Sequence, residues 1–344
     1  MIGLAVLVFT PWTAWRGHAP WWGWKTSDVF FPLFLTVAGA GLALQTKRGI
    51  PWPRVARRFI SLVVLGVLVN ALLGAGLEVS SLRLTGVLQR IALAGLLGAG
   101  VLALTRRRWW LVTLAAVAIA AAWGVVMLGA AAGCPGNRPT PAGCGTLLRP
   151  DRALLGDTHV YARGEAGHDP EGLASTLGAT ATLLAGAGAF MLVEDRRGRS
   201  ASDRARALAL LGAGWLVVTL PLLLFAPFGK RMWTPAFVSV NAAGALFALA
   251  ALTILFDTKV ASSSLARVRS GTAWPVVAVG RNALLSWTSL FVIDHALDVT
   301  QSGGGSLEQA LVRDLGNWPY FFLLLGGWLA VWCAMHAARW HVRL

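Results

Sequence analysis

Arg106-Arg107-Arg108-Trp109-Trp110-Leu111-Val112-Thr113-Leu114-Ala115-Ala116-Val117-Ala118-Ile119-Ala120-Ala121-Ala122-Trp123-Gly124-Val125-Val126-Met127-Leu128-Gly129-Ala130 sets three arginines in front of a long run with no charged side chain. As a helix, residues 109–130 reach roughly 33 Å, enough to cross a hydrocarbon core of ~30 Å. The rest of the chain repeats the pattern. Of its 344 residues 56% are hydrophobic and 13% charged, and the mean hydropathy is +0.64. A soluble domain carries about 25% charged residues, so the polar groups here are too few to coat a globule. That composition excludes a soluble enzyme. The net charge of +15 does not point to nucleic acid, because the basic residues fall in short clusters between apolar runs.

The expected fold is an all-α membrane protein with about ten transmembrane helices in one bundle. The apolar stretches lie near 1–14, 28–45, 60–77, 84–104, 109–130, 170–193, 207–226, 236–256, 275–293 and 319–338. No linker divides the chain, so residues 1–344 read as one transmembrane domain with an outer loop at about 131–169. The opening has no basic n-region and no cleavage-like end, so it reads as mature sequence. With only about ten apolar residues before Pro11, its first helix is expected to be partial, or to start upstream.

Lysines and arginines set the expected orientation. Alternate loops hold Lys47, Arg48, Arg54, Arg57 and Arg58; Arg106, Arg107 and Arg108; Arg196, Arg197, Arg199, Arg204 and Arg206; Lys259, Arg267 and Arg269; and Arg339 and Arg343, eighteen of the 30 basic residues. The opposite loops hold Arg16, Lys25, Arg83, Arg138, Arg149, Arg152, Arg163, Lys230, Arg231 and Arg313, spread over longer segments. Both termini are therefore expected in the cytoplasm. Cys134 and Cys144 then flank a turn in an outer, oxidising loop, where a disulfide is expected; Cys333 reads as a packing residue.

Four polar clusters fall at the expected outer ends. The first runs from Trp15 through His18 and the tryptophans 21, 22 and 24 to Asp28. An imidazole is the side chain type suited to act as base or nucleophile near neutral pH, which makes His18 the candidate, with Asp28 to orient its ring. An interfacial aromatic belt with Asp28 as an N-cap fits the same residues. The second is Gly86-Val87-Leu88-Gln89-Arg90-Ile91-Ala92. An arginine one turn into an apolar span is costly, and it either receives an anion or pairs with Asp28, Asp169 or Glu171.

The third cluster runs His168-Asp169-Pro170-Glu171-Gly172-Leu173-Ala174-Ser175-Thr176-Leu177. Asp169 reads as an N-cap with Pro170 at N1 and Glu171 in the first turn, although the two carboxylates also suit an amine. The fourth, Pro227-Phe228-Gly229-Lys230-Arg231-Met232-Trp233-Thr234, is either an interfacial anchor or an anion site. Arg281-Asn282 and Asp294-His295 are weaker candidates. Glycine pairs such as Gly39/Gly41 and Gly186/Gly188 read as close helix packing. Six histidines and three cysteines show no metal-ligand spacing, and no metal is expected.

In order and spacing, these clusters resemble the heparan-alpha-glucosaminide N-acetyltransferase family of polytopic transmembrane acyltransferases. The matching segments are His18 to Trp22 with Asp28 to Leu35, Gly86 to Ala92, Asp169 to Leu177, Pro227 to Thr234, and Gly280 to Leu284. Of the family's Asp-x-x-Arg-Gly-like opening, only an apolar remainder, Gly3 to Val8, is present.

The resemblance implies transfer of acetyl from cytosolic acetyl-CoA to the amine of a glucosamine-type sugar outside. It puts the active histidine at His18 and its acid at Asp28. Gln89, Arg90, Asp169, Glu171, Lys230, Trp233 and Asn282 are the candidate substrate- or donor-binding residues. The expected partners are acetyl-CoA, an amino-sugar acceptor and the bilayer, with no nucleic acid and a homodimer left open. The expected location is a bacterial-type inner membrane. Two alternatives stay open: a transporter or flippase using the same clusters as a path, and an O-acyltransferase of envelope glycans.

Overall fold

The computed structural model describes residues 1–10, 17–74, 78–258, 262–302 and 305–342. Arg16, Lys259 and Arg343, counted above for orientation, lie outside the described residues. Among the described residues the fold is helical apart from one hairpin of two two-residue strands. Among the described residues, eight helices are long and apolar enough to cross a membrane. A ninth span arises if a helix pair bent by 80° counts as one. The all-α membrane fold is as expected, and the ten apolar stretches differ from these helices at two places. The first helix, α1 (Ile2–Val8), has 7 residues, and the 275–293 stretch is broken by the bend.

The chain divides into two compact units. One comprises Met1–His18 and Lys259–Leu344. It contains α1, α10 (Ser263–Arg281), α11 (Ala283–Val299), the hairpin β1 (Gln301–Ser302) and β2 (Gly305–Ser306), α12 (Leu307–Leu315) and α13 (Asn317–Ala337). Its core gathers Ala5, Phe9, Val279, Leu290, Phe321, Trp328 and Trp332.

The other unit, Ala19–Thr258, holds seven of the spanning helices. A 3₁₀ turn, Thr26–Val29, leads into α2 (Phe30–Gln45). Then come α3 (Trp52–Leu73), α4 (Val87–Leu104), α5 (Trp109–Ala131), the short α6 (Leu148–Leu155), α7 (Thr176–Asp195), α8 (Ala201–Leu222) and α9 (Pro235–Asp257). Three connections of this unit are tight turns, 46–51, 105–108 and 196–200, and these carry the basic clusters. The connections at the opposite ends are longer, and their described residues, 78–86, 132–175 and 223–234, form a cap.

Helix α7 is buried along most of its length and packs on α2, α4, α5, α8 and α9. Its small residues make this possible. A Cβ on Gly39 of α2 would run into the Leu183 carbonyl, and one on Gly186 into the Thr36 carbonyl, so the two backbones touch. A Cβ on Gly188 would come 2.6 Å from Thr113 Oγ1, whereas Gly41 faces open space and is not a packing glycine. Arg54, Arg57 and Arg58 lie inside α3, since the helix begins eight residues before the expected apolar stretch. Their long stems let the charges reach the tight-turn end.

Candidate functional site

At the cap end of the second unit, the four polar connections converge. Asp28, in the 3₁₀ turn, is fully buried. Its Oδ2 accepts the N–H of Ala19 at 3.1 Å and of Lys25 at 2.8 Å. Its Oδ1 lies 3.7 Å from Lys230 Nζ. Burial pushes the Lys230 ammonium down to about 8, against the opposing pull of Asp28 and Glu171.

Arg90, the fourth residue of α4, is fully buried. Its Nη2 donates to Ser175 Oγ and, at 3.4 Å, to the Gly172 carbonyl. Its guanidinium carbon sits 5.0 Å from the Trp233 ring centre. Nε and Nη1 have no hydrogen-bond partner among the described residues, nor has either polar atom of the neighbouring Gln89 carboxamide. Buried donors without acceptors cost free energy, so the two unpartnered N–H groups of Arg90 suit an oxygen-bearing ligand, while the Gln89 carboxamide lies against Gly66 and Gly86.

Trp233 forms one wall. Its backbone is left-handed, with φ of 49°, and is held by the Trp123 indole N–H, which donates to the carbonyls of Met232 and Trp233. Its own indole N–H donates to Thr182 Oγ1 at 3.1 Å. Gly178 is required here, because a Cβ would come 2.6 Å from the Trp233 carbonyl.

The Asp169-Glu171 pair is engaged elsewhere. Asp169 accepts from Arg83 Nη2 (2.9 Å), Thr85 Oγ1 (2.6 Å), Tyr161 N–H (2.9 Å) and Glu171 N–H (2.9 Å). Glu171 accepts from the same Arg83 nitrogen at 2.8 Å. Burial alone would lower the Arg83 pKa, but these two carboxylates outweigh it and the pKa is raised. Asp169 is therefore not a helix N-cap. Helix α7 starts at Thr176 after Ser175, and residues 169–175 form turns that lock the cap loop onto Arg83. Arg90, offered three carboxylate partners by the sequence, hydrogen-bonds none of them.

Several participants were missed. Arg83 was read only as a loop charge, and Ser175 as part of a motif. Asp151, from α6, accepts the N–H of Leu173 and Ala174 at 3.1 and 3.4 Å, and burial pushes its carboxyl up to about 6. His168 holds its Nδ1 2.8 Å from the Ala166 carbonyl and its Nε2 3.0 Å from Arg231 Nη1. Nδ1 thus carries the proton and Nε2 accepts, and burial lowers the pKa of this neutral ring. For Arg83, Asp151 and His168 the signal was rarity, since each is an ionisable group in a polar stretch between apolar spans. Their partners lie too far away in sequence to be paired by eye.

His18 closes the first unit and is exposed. The next residue, Ala19, is the one whose N–H Asp28 holds. Asn282 also lies in the first unit, at the 80° bend, where its amide donates to the Trp340 carbonyl (3.1 Å) and accepts from Val342 N–H (2.9 Å). Cys134 and Cys144 are joined by a disulfide in the cap loop. Among the described residues, no group of three or more His, Cys, Asp or Glu side chains converges as metal ligands would.

Residues 5–132 match the family model described as heparan-alpha-glucosaminide N-acetyltransferase, catalytic. That stretch includes His18, Asp28, Gln89 and Arg90. A curated relative, human heparan-alpha-glucosaminide N-acetyltransferase, is 26% identical over 301 residues, covering 70% of this chain and 45% of the relative. The chain thus spans about half the length of the curated relative it matches. The family resemblance read from the sequence is borne out by both comparisons.

Proposed function

Proceeding from that family likeness, we propose that the chain is a multi-pass membrane acetyltransferase. It takes the acetyl group of acetyl-CoA from the basic, cytoplasmic side. It places that group on the amine of a glucosamine-type sugar at the cap side, with residues 1–344 acting as one transferase domain in a bacterial-type inner membrane. The observation that supports this best is the buried Gln89-Arg90 pair. Arg90 Nε and Nη1 and both polar atoms of the Gln89 carboxamide have no hydrogen-bond partner among the described residues, Arg90 lies beside Trp233, and both residues fall inside the stretch matching the catalytic family model.

In this reading the amine nitrogen attacks the thioester carbonyl carbon and forms the new C–N bond. The carbonyl oxygen becomes an oxyanion, and Arg90 Nε–H and Nη1–H are donors of the type it needs. The C–S bond then breaks and the thiolate of coenzyme A leaves. His18 removes the proton that the attacking amine gives up. An alternative order passes the acetyl group through His18 itself, breaking the C–S bond first and the acetyl-imidazole bond second. Lys230, with a pKa near 8, is suited to return a proton to the thiolate. Asp28 keeps Lys230 charged and fixes the amide that follows His18.

The test is incubation of the purified chain with acetyl-labelled acetyl-CoA and a panel of amino sugars. The expected products are an N-acetylated sugar and free coenzyme A in equal amounts. Label found only on hydroxyls would replace this with the O-acyltransferase reading. Passage of unmodified sugar across proteoliposomes without label transfer would replace it with the transporter.

A further inference from the structure

A second cluster of cations lies at the other end of the second unit, away from the cap. The turn after α7 and the first turns of α8 hold five arginines. Two of them are paired, Arg197 with Glu194 at 3.3 Å and Arg204 with Asp257 at 3.0 Å. The side chains of the other three, Arg196, Arg199 and Arg206, have no hydrogen-bond or ion-pair partner among the described residues. All three line a single cleft of about 1010 Å³, counted to its open mouth. Its one acidic residue, Asp203, accepts instead from Ser200 Oγ at 2.8 Å.

Orientation alone would be served by arginines pointing anywhere at this end, and convergence on one cleft is not required by it. The cleft also has an apolar side. Trp109, at the first turn of α5, and Leu210, 64% exposed on α8, line it with the arginines. Leu210 is one helical turn beyond Arg206, so the site grades from cationic to apolar along α8.

From this we infer that Arg196, Arg199 and Arg206 form a binding site for the phosphate of an anionic phospholipid, with an acyl chain lying along Leu210. An anion with an apolar tail is the ligand whose chemistry matches both sides of the cleft. The site is independent of acetyl transfer and of the groups around Arg90.

Native mass spectrometry of the full chain, released from phosphatidylcholine nanodiscs doped with phosphatidylglycerol, tests it by the ratio of the two lipids retained. Each arginine is expected to contribute roughly fivefold to that ratio, and the three together about a hundredfold. The variant with Arg196→Gln, Arg199→Gln and Arg206→Gln should lose the retained phosphatidylglycerol. The single variants should each lose about fivefold, and the corresponding triple Lys variant should keep most of it. A control carrying Arg48→Gln, Arg54→Gln and Arg57→Gln removes equal charge from the same end and should leave the ratio unchanged. Equal loss in the control, or no loss in the cleft variants, overturns the site. Displacement of the lipid by adenosine 3′,5′-bisphosphate also overturns it, because the cleft would then be reading nucleotide phosphates.

Discussion

Asp28 joins two parts of the candidate site, since one oxygen holds the amide next to His18 and the other faces Lys230. His18→Ala is expected to lower acetyl transfer by about 10²–10⁴-fold, the usual worth of a general base. Acetyl-CoA binding and thermal stability should barely change, because an exposed imidazole contributes little packing. Turnover within tenfold of the parent in the purified protein would refute the role. Asp28→Asn retains an acceptor for the backbone and loses only the charge, so its rate defect is expected to be smaller. Lys230 supplies a pH signature. Above about 8 its ammonium loses the proton offered to the thiolate, so the rate should fall as pH rises through that value. Lys230→Arg keeps the charge but cannot give up a proton, so it should lower the rate at all pH values and remove the limb near 8, and an unchanged rate and alkaline limb would remove Lys230 from proton transfer. The sequence made His18, Asp28, Arg90 and Lys230 legible because an ionisable side chain beside an apolar span is expensive and conspicuous. It did not reveal that Arg83 takes both cap carboxylates, since 86 residues separate it from Asp169 and nothing local connects them.

Helix edges were harder to read than helices, for a physical reason visible in α3 and α7. Arg54, Arg57 and Arg58 begin α3 inside what composition marks as a loop, because long basic side chains snorkel and the backbone continues beneath them. Conversely, residues 170–175 read as helix but form turns, because Asp151 takes the N–H groups of Leu173 and Ala174. That carboxyl titrates near 6 when folded and near 3.8 when unfolded. Between those values the folded chain holds more protons, so this group's contribution to stability falls as pH rises from about 4 to about 6. The thermal midpoint of the parent relative to Asp151→Asn should therefore be higher at pH 4.5 than at pH 7.5. A pH-independent difference would show that Asp151 does not titrate there. Glycine spacing was legible in part. Gly39→Ala should cost roughly 1–3 kcal/mol by forcing α2 from α7, while Gly41→Ala, facing open space, should be neutral or slightly stabilising. Thermal denaturation in detergent measures both, and equal effects would refute the backbone contact between the helices.

At the scale of the whole molecule, the excess of arginine at one end is the feature that links fold to reaction. In the second unit the tight turns carry the cations and the long connections build the cap. In the proposed reaction, an acetyl donor with phosphates and an acceptor confined to the far compartment need such a division. Hydropathy does not reveal the 80° bend at Asn282, a residue whose amide holds residues 340 and 342. The proposed orientation makes a direct prediction. In a Cys333→Ser background, with the Cys134–Cys144 disulfide left in place, Arg138→Cys puts one free thiol in the exposed cap loop, and Arg48→Cys puts one in the basic turn after α2. A membrane-impermeant maleimide applied to intact cells should modify Arg138→Cys at once and Arg48→Cys only after permeabilisation. The reverse pattern would place the cap in the cytoplasm and the basic turns outside, against the charge rule. The Gln89-Arg90 pair would then open to the compartment that supplies acetyl-CoA, and transfer across the membrane would have to be abandoned in favour of acetylation on a single side.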